Sequence, residues 1–231
     1  MNQGLTIVPP PVVGEALRRL EARGFQAWCV GGCVRDSLLG KAPSDWDIAT
    51  SALPQETKAC FAGERLVEAG AAHGTIAWVP SGGHPIEITT FRSDGAYTDG
   101  RHPDSVAFSR RLEDDLSRRD FTVNALMEDV LTGQVLDFFG GREDLRRGLL
   151  RHVDDHSFPE DPLRVLRGAQ FAARFGFTVA EETVALCRTM DLSALSRERV
   201  EGELQKALLQ APRPSIFFRT LDTMHQLRPW F

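Results

Sequence analysis

The chain has 231 residues, 42% hydrophobic and 26% charged, with a formal net charge of -5 and a pI near 5.7. That length and composition build a packed core and exclude a disordered chain. Charges of both signs are interspersed, so no overall basic field announces a nucleic-acid binder, and any contact with phosphate has to be local. Four cysteines, Cys29, Cys33, Cys60 and Cys187, lack the paired spacing of a zinc site and are too sparse for a disulfide scaffold, which predicts reduced thiols. His152 and His156 have no companions to complete a ligand set and are expected on the surface of a loop. With no basic leader and no apolar run near the ~20 residues that span a bilayer, a cytoplasmic location is expected.

In chain order, "VVGEALRRLEARG" (residues 12–24) puts Val12, Ala16, Leu17 and Leu20 on one face, an amphipathic helix closed by Gly24. "FQAWCV" reads as a buried strand, Gly31-Gly32 as a tight turn, and "VRDSLLG" as a short helix stopped by Gly40. "DWDIAT" is the next strand, and "LPQETKACFAG" a helix with Pro54 near its start. "GTIAWVP" and "HPIEITTF" make two strands, a hairpin turning at Ser81-Gly82-Gly83. The stretch from Arg92 to Ser105 lacks periodicity and is expected to be a mobile loop. From about residue 113 the pattern reads as helical, interrupted by "DFFGGREDLRRG", and residues 160–210 read as all-α. The shift near residue 150 predicts an α/β portion over 1–150 and a helical one over 151–231.

Within "VGGCVRDSLLGKAPSDWDIAT" (residues 30–50), Asp45 and Asp47 flank a tryptophan. On a strand they point to one face, roughly 7 Å apart, with Trp46 on the other. Such a pair is either an ordinary solvent-facing edge or a divalent-metal site, since magnesium favours one or two carboxylates with phosphate and water oxygens. Glu87, a lone acid between Ile86 and Ile88, is either an ordinary exposed residue or a third carboxylate brought beside the pair by an adjacent strand. Ahead of the pair, Gly31 and Gly32 let the backbone approach a ligand closely, the helix start offers N–H groups to phosphate, and Arg35 is placed to help. In "RRDFTVNAL", Arg118, Arg119 and Asp120 precede an apolar stretch read as helix, with Asp120 as a cap and Asn124 one turn on, on the same face. In "EDPLRVLR", Pro162 suits a first helical turn and Asp161 the N-cap, while Arg164 and Arg167 fall near one face.

"GGCVRDSLLG" followed by "SDWDIAT" resembles the signature of the polymerase-beta nucleotidyltransferase superfamily, and in detail the bacterial-type (class II) tRNA nucleotidyltransferase and poly(A) polymerase family. The resemblance continues in order through "EITTFR", "RRDFTVNAL", "DFFGGREDLRRG", "EDPLRVLRGAQFAARFGF" and "SRERVEGEL" and spans residues 26–210. It implies an α+β polymerase-beta-like head with a mixed sheet and flanking helices, followed by an all-α neck. It also implies that Asp45 and Asp47 hold two magnesium ions between a nucleoside triphosphate and an RNA 3' hydroxyl. Gly32, Arg35 and an arginine of the Arg118-Arg119 pair would contact the triphosphate, and Asp120 the ribose. Asp161 and Arg164 would template the base, the carboxylate accepting from the amino group of cytosine or adenine and the guanidinium donating to the adjacent ring nitrogen. Uracil and guanine present a carbonyl there and are rejected. The "SRERVEGEL" segment would buttress the templating helix, and Gln170 departs from an arginine found in many members.

The resemblance favours addition of C and A residues to the tRNA 3' end from CTP and ATP, with CC-only, A-only or poly(A) synthesis as alternatives and a non-catalytic RNA- or nucleotide-binding module as the rival from another class. The intact polar stretch of residues 92–105 and the absence of an arginine-rich strand at "AHGTIAWV" carry that preference. The chain stops at "HQLRPWF", where similar enzymes continue into body and tail domains, so a shortened chain that holds tRNA weakly is expected.

Overall fold

The computed structural model describes residues 8–94, 106–228 and 230–231. These gather into two compact units: residues 8–94, 106–117 and 124–138 form the first, and residues 118–123 with those from 139 onward the second.

The first unit opens with α1 (Pro11–Glu21), which buries Val13, Ala16, Leu17 and Leu20 and leaves Val12 at the edge of the apolar face. There follow β1 (Ala27–Val30), α2 (Gly32–Leu38), β2 (Ile48–Thr50), α3 (Pro54–Cys60), β3 (Leu66–Val67), β4 (Thr75–Trp78) and β5 (Ile86–Thr90). Next are β6 (Arg92–Asp94), β7 (Val106–Phe108), α4 (Leu112–Ser117), β8 (Leu126–Asp129) and β9 (Gln134–Asp137). One mixed sheet runs in the order β3-β4-β5-β2-β1-β8-β9, with β2 and β5 parallel and the other neighbours antiparallel. Its core joins Leu17 and Leu20 of α1 to Cys29, Trp46, Ile48, Trp78, Ile88 and Leu126. At ~25 cal/mol per Å² of apolar surface, burial of such side chains is the main force holding sheet and helices together.

The hairpin expected between the fourth and fifth strands forms, with Gly82 at φ +73° in its turn and Ala77 opposite Glu87. Two other expectations are corrected. The stretch from Arg92 to Ser105 begins as a strand, Arg92 pairing with Phe108, and residues 95–105 lie outside the described residues. The segment read as helical after residue 113 contains β8 and β9, joined by a turn that Asp129 organises by accepting from Leu131 N at 2.8 Å and that Gly133 closes at φ +72°.

The second unit carries α5 (Gly141–Arg147), β10 (Leu149–Leu150), α6 (Leu163–Phe175), β11 (Thr178–Val179), α7 (Glu181–Thr189), α8 (Arg197–Gln210) and α9 (Ser215–Thr223). α6 packs against α8 and α9. Gly176, left-handed at φ +72°, ends α6. The two-residue strands β10 and β11 pair in parallel, so the unit is mostly, not entirely, helical. His152, expected on the surface, is buried: Nδ1 meets Thr183 Oγ1 at 2.7 Å and Nε2 meets Asp155 Oδ1 at 2.6 Å, which satisfies both ring nitrogens. His156 is exposed. All four cysteines are free, and burial pushes the Cys187 thiol up to about 12. Among the described residues no helix is long and apolar enough to cross a membrane.

Candidate active site

In the first unit, the sheet delivers the acid pair to one cleft. β1 and β2 pair with Cys29 opposite Ile48, and the ladder continues one step further, Val30 N donating to Asp47 O at 3.0 Å. Asp45 and Asp47 therefore lie just ahead of β2 rather than within it, with the Asp47 backbone pinned. Trp46, 8% exposed, belongs to the core, so the two acids are turned the other way. Ser44 Oγ donates to Asp45 Oδ2 at 2.8 Å. β2 and β5 run parallel with Ile48 opposite Ile88, and the same register extended by one residue sets Asp47 beside Glu87. Asp45, Asp47 and Glu87 line a cleft of about 430 Å³ together with His84 and Pro85. His84 is the lining residue that the sequence reading passed over; its signal was a Gly-Gly turn and a proline just ahead of the strand that carries Glu87.

This donor set fits a divalent cation of the hard, oxygen-seeking kind. Among the described residues no three of His, Cys, Asp and Glu are gathered as a metal cluster. An ion here would rest on Asp45 and Asp47 and fill its remaining positions with water and phosphate oxygens, which is the habit of magnesium.

The glycine turn lies in the same unit. Gly31 takes φ +76°, a conformation open to glycine, and its carbonyl accepts from Arg35 N at 3.0 Å to begin α2. The buried Arg35 donates from Nε to Asp36 Oδ1 at 2.8 Å and from Nη1 to Asn124 Oδ1 at 2.6 Å. Its Nη2 stands 3.6 Å from where a β-carbon on Gly32 would sit. Gly32, Arg35 and Asn124 are thus brought together. Asn124 does not share a helix face with Asp120 as expected: it closes a single 3-10 turn, Thr122–Asn124, that leads into β8.

The second unit holds the remaining candidates. Residues 118–123 run beside 151–153, Thr122 N donating to Arg151 O at 2.8 Å and Val153 N to Asp120 O at 3.2 Å. The buried Asp120 accepts from Phe121 N at 2.8 Å and, on its other oxygen, from Arg167 Nε at 2.8 Å. Burial alone would lower the Arg167 guanidinium, but Asp120, Glu203 and Asp161 together raise it above the ordinary arginine value. Arg118 and Arg119 are half-buried. The Arg118 carbonyl accepts from Arg164 Nη2 at 2.5 Å, and the Ser157 carbonyl from Arg164 Nη1 at 2.6 Å. Pro162 occupies the N-cap position of α6, and Asp161 acts from one residue further out, its Oδ1 accepting from Leu163 N at 3.1 Å. Arg199 of α8 reaches both Asp161 oxygens, at 3.0 and 3.2 Å. Gln170 is 1% exposed, and its Nε2 finds no hydrogen-bond acceptor among the described residues.

Residues 27–151, more than half of the chain, match the family described as the poly A polymerase head domain. The chain belongs to that family. Within it, the CCA-adding enzyme of Streptococcus uberis is 47% identical over 200 residues, 85% of this chain and 48% of that protein. The CCA-adding enzyme of Leuconostoc mesenteroides is 46% identical over 197 residues, 84% of this chain and 48% of the relative. Among solved structures, the Bacillus stearothermophilus CCA-adding enzyme in complex with CTP superposes with a TM-score of 0.82 at 37% identity, covering 96% of this chain and 54% of that one. The Thermotoga maritima CCA-adding enzyme complexed with tRNA gives 0.77 at 28% identity over 94% of this chain and 50% of that one. The head-domain fold, a mixed sheet with flanking helices, is the one both sequence and structure show. The chain spans about half the length of the curated relatives it matches.

Proposed function

We propose that this chain is the nucleotide-adding portion of a tRNA nucleotidyltransferase that transfers C and A residues from CTP and ATP to the tRNA 3' end, acting in the cytoplasm. The observation that carries the reading is the acid cleft: Asp45, Asp47 and Glu87 line one cavity at the mouth of β2 and β5, in a chain 44–47% identical to curated CCA-adding enzymes.

Asp45 and Asp47 would hold magnesium, which when bound lowers the pKa of the attacking hydroxyl and offsets charge on the leaving pyrophosphate. Glu87, next to Asp47 in register, adds negative charge to the same cavity and strengthens its preference for a divalent cation. Gly31 and Gly32 leave the backbone open to phosphate, with Arg35 held against them by Asp36 and Asn124.

Base choice is assigned to Asp161 and Arg164. A carboxylate accepts from the exocyclic amine that cytosine and adenine share, and a guanidinium donates to the neighbouring ring nitrogen. Arg199 keeps Asp161 oriented for that contact. Arg164 has both terminal nitrogens on carbonyls and would exchange one of those bonds for the base. Asp120, fixed by Arg167, is the candidate acceptor for a ribose hydroxyl, with Arg118 and Arg119 adjoining it in sequence.

The test is incubation with tRNA lacking its 3' end, magnesium and single labelled triphosphates. Incorporation of C and then A supports the reading. Long A tails would favour poly(A) synthesis, the activity that the head-domain family description names, and incorporation of one nucleotide alone would mark a specialised enzyme. No incorporation would mark a binding module.

A further inference from the structure

Among the described residues, the side chains lining the acid cleft are three carboxylates, a proline and one imidazole. Ionised carboxylates only accept hydrogen bonds, so among the described residues lining the cleft His84 is the one whose side chain can donate. It is exposed, and its ring makes no hydrogen bond, ion pair or ring contact with any described residue. Glu87 is equally uncommitted. Arg35, by contrast, is buried and already bonded to Asp36 and Asn124.

The backbone presets where His84 stands. Gly82 takes φ +73° in the hairpin turn, and a β-carbon on Gly83 would come within 2.9 Å of Pro80 Cγ, so the turn is drawn tight. Pro85 then restricts its predecessor to an extended conformation. His84 is in this way delivered to the cleft beside the strand that carries Glu87.

A triphosphate entering the cavity brings several negative charges toward three acids. Metal ions can offset that repulsion where they sit, but the phosphate oxygens away from them still need donors. Arg35 is already oriented by its bonds to Asp36 and Asn124, whereas His84 has no hydrogen bond among the described residues to give up. We infer that His84 is a phosphate-contacting residue of this cleft, its imidazole donating a hydrogen bond to the terminal phosphates of a bound nucleoside triphosphate and to the pyrophosphate that leaves. The inference rests on reading the cleft as a nucleotidyl-transfer site.

The experiment is calorimetric binding of pyrophosphate, CTP and CMP, each with magnesium, to the full chain and to its His84→Ala, His84→Gln and Asp47→Asn variants. His84→Ala should weaken pyrophosphate and CTP about 10-fold or more, the loss of a hydrogen bond to a charged group, and leave CMP within about 2-fold. His84→Gln, whose amide still donates, should recover most of the loss. Unchanged pyrophosphate and CTP affinity in His84→Ala overturns the inference, and so does an equal loss for CMP, which would show a merely structural role. If Asp47→Asn also binds all three ligands as the wild type does, the reading of the cleft itself fails.

Discussion

Arg199 and Asp161, 38 residues apart in sequence, form one ion pair: a single guanidinium nitrogen of Arg199 lies 3.0 and 3.2 Å from the two carboxylate oxygens. Their side chains are 14% and 18% exposed, so water screens the pair little. Arg199→Ala should cost about 1–3 kcal/mol in urea unfolding, the penalty of stranding a mostly buried charged acceptor. The same variant should discriminate less between CTP and UTP, because the carboxylate assigned to the base loses its orienting partner. Arg199→Lys keeps the charge and should fall between the two.

Arg164 has a different vulnerability. It is 6% exposed and joins the Ser157 and Arg118 carbonyls. Arg164→Ala removes both donors and should destabilise the second unit by about 2–3 kcal/mol. Its effect on base choice is read separately, as the ratio of UTP to CTP incorporation, which should rise. A stability loss with an unchanged ratio would leave Arg164 a structural tie only.

What the sequence made legible follows from distance along the chain. The Gly31-Gly32 turn, the short helix after it and the Asp45-Trp46-Asp47 alternation are local patterns, and local geometry decides them. Even the adjacency of Glu87 needed only that two apolar strands pair. β8 was illegible because Ala125, Leu126, Met127 and Glu128 are all buried, leaving no alternation, and all four are good helix formers. Ladders to β1 and β9 overrode that preference. The Asp120–Arg167 and Asp161–Arg199 pairs span 47 and 38 residues, and no spacing rule reaches that far. His152 misled for a related reason: Thr183, which meets its Nδ1, lies 31 residues on, and the nearer partner Asp155 carries no sign of burial in the sequence.

Acid should loosen the approach to α6. Asp154 accepts from Ser157 N at 2.8 Å and His156 N at 2.9 Å, and these bonds, Ser157 first, hold its carboxyl below the ordinary value of 3.8. A depressed folded-state pKa contributes stability that is complete above the unfolded value and is lost as pH falls through the folded one. Wild-type stability should therefore exceed that of Asp154→Ala at pH 6, with the gap closing below pH 3.8. Thermal unfolding from pH 6 to pH 3 measures it, and a gap that stays constant with pH would contradict the assignment.

The most direct measurement is incorporation of labelled CTP, onto tRNA lacking its 3' end, by the wild type and by Asp47→Asn. Asparagine keeps the volume of the aspartate side chain and leaves the Asp47 carbonyl in its ladder bond, so the variant should remain folded, within about 1 kcal/mol of the wild type. Incorporation by the wild type with a loss of about 100-fold or more in Asp47→Asn is the expected result. Near wild-type incorporation by the folded variant would contradict the claim that these acids carry the transfer.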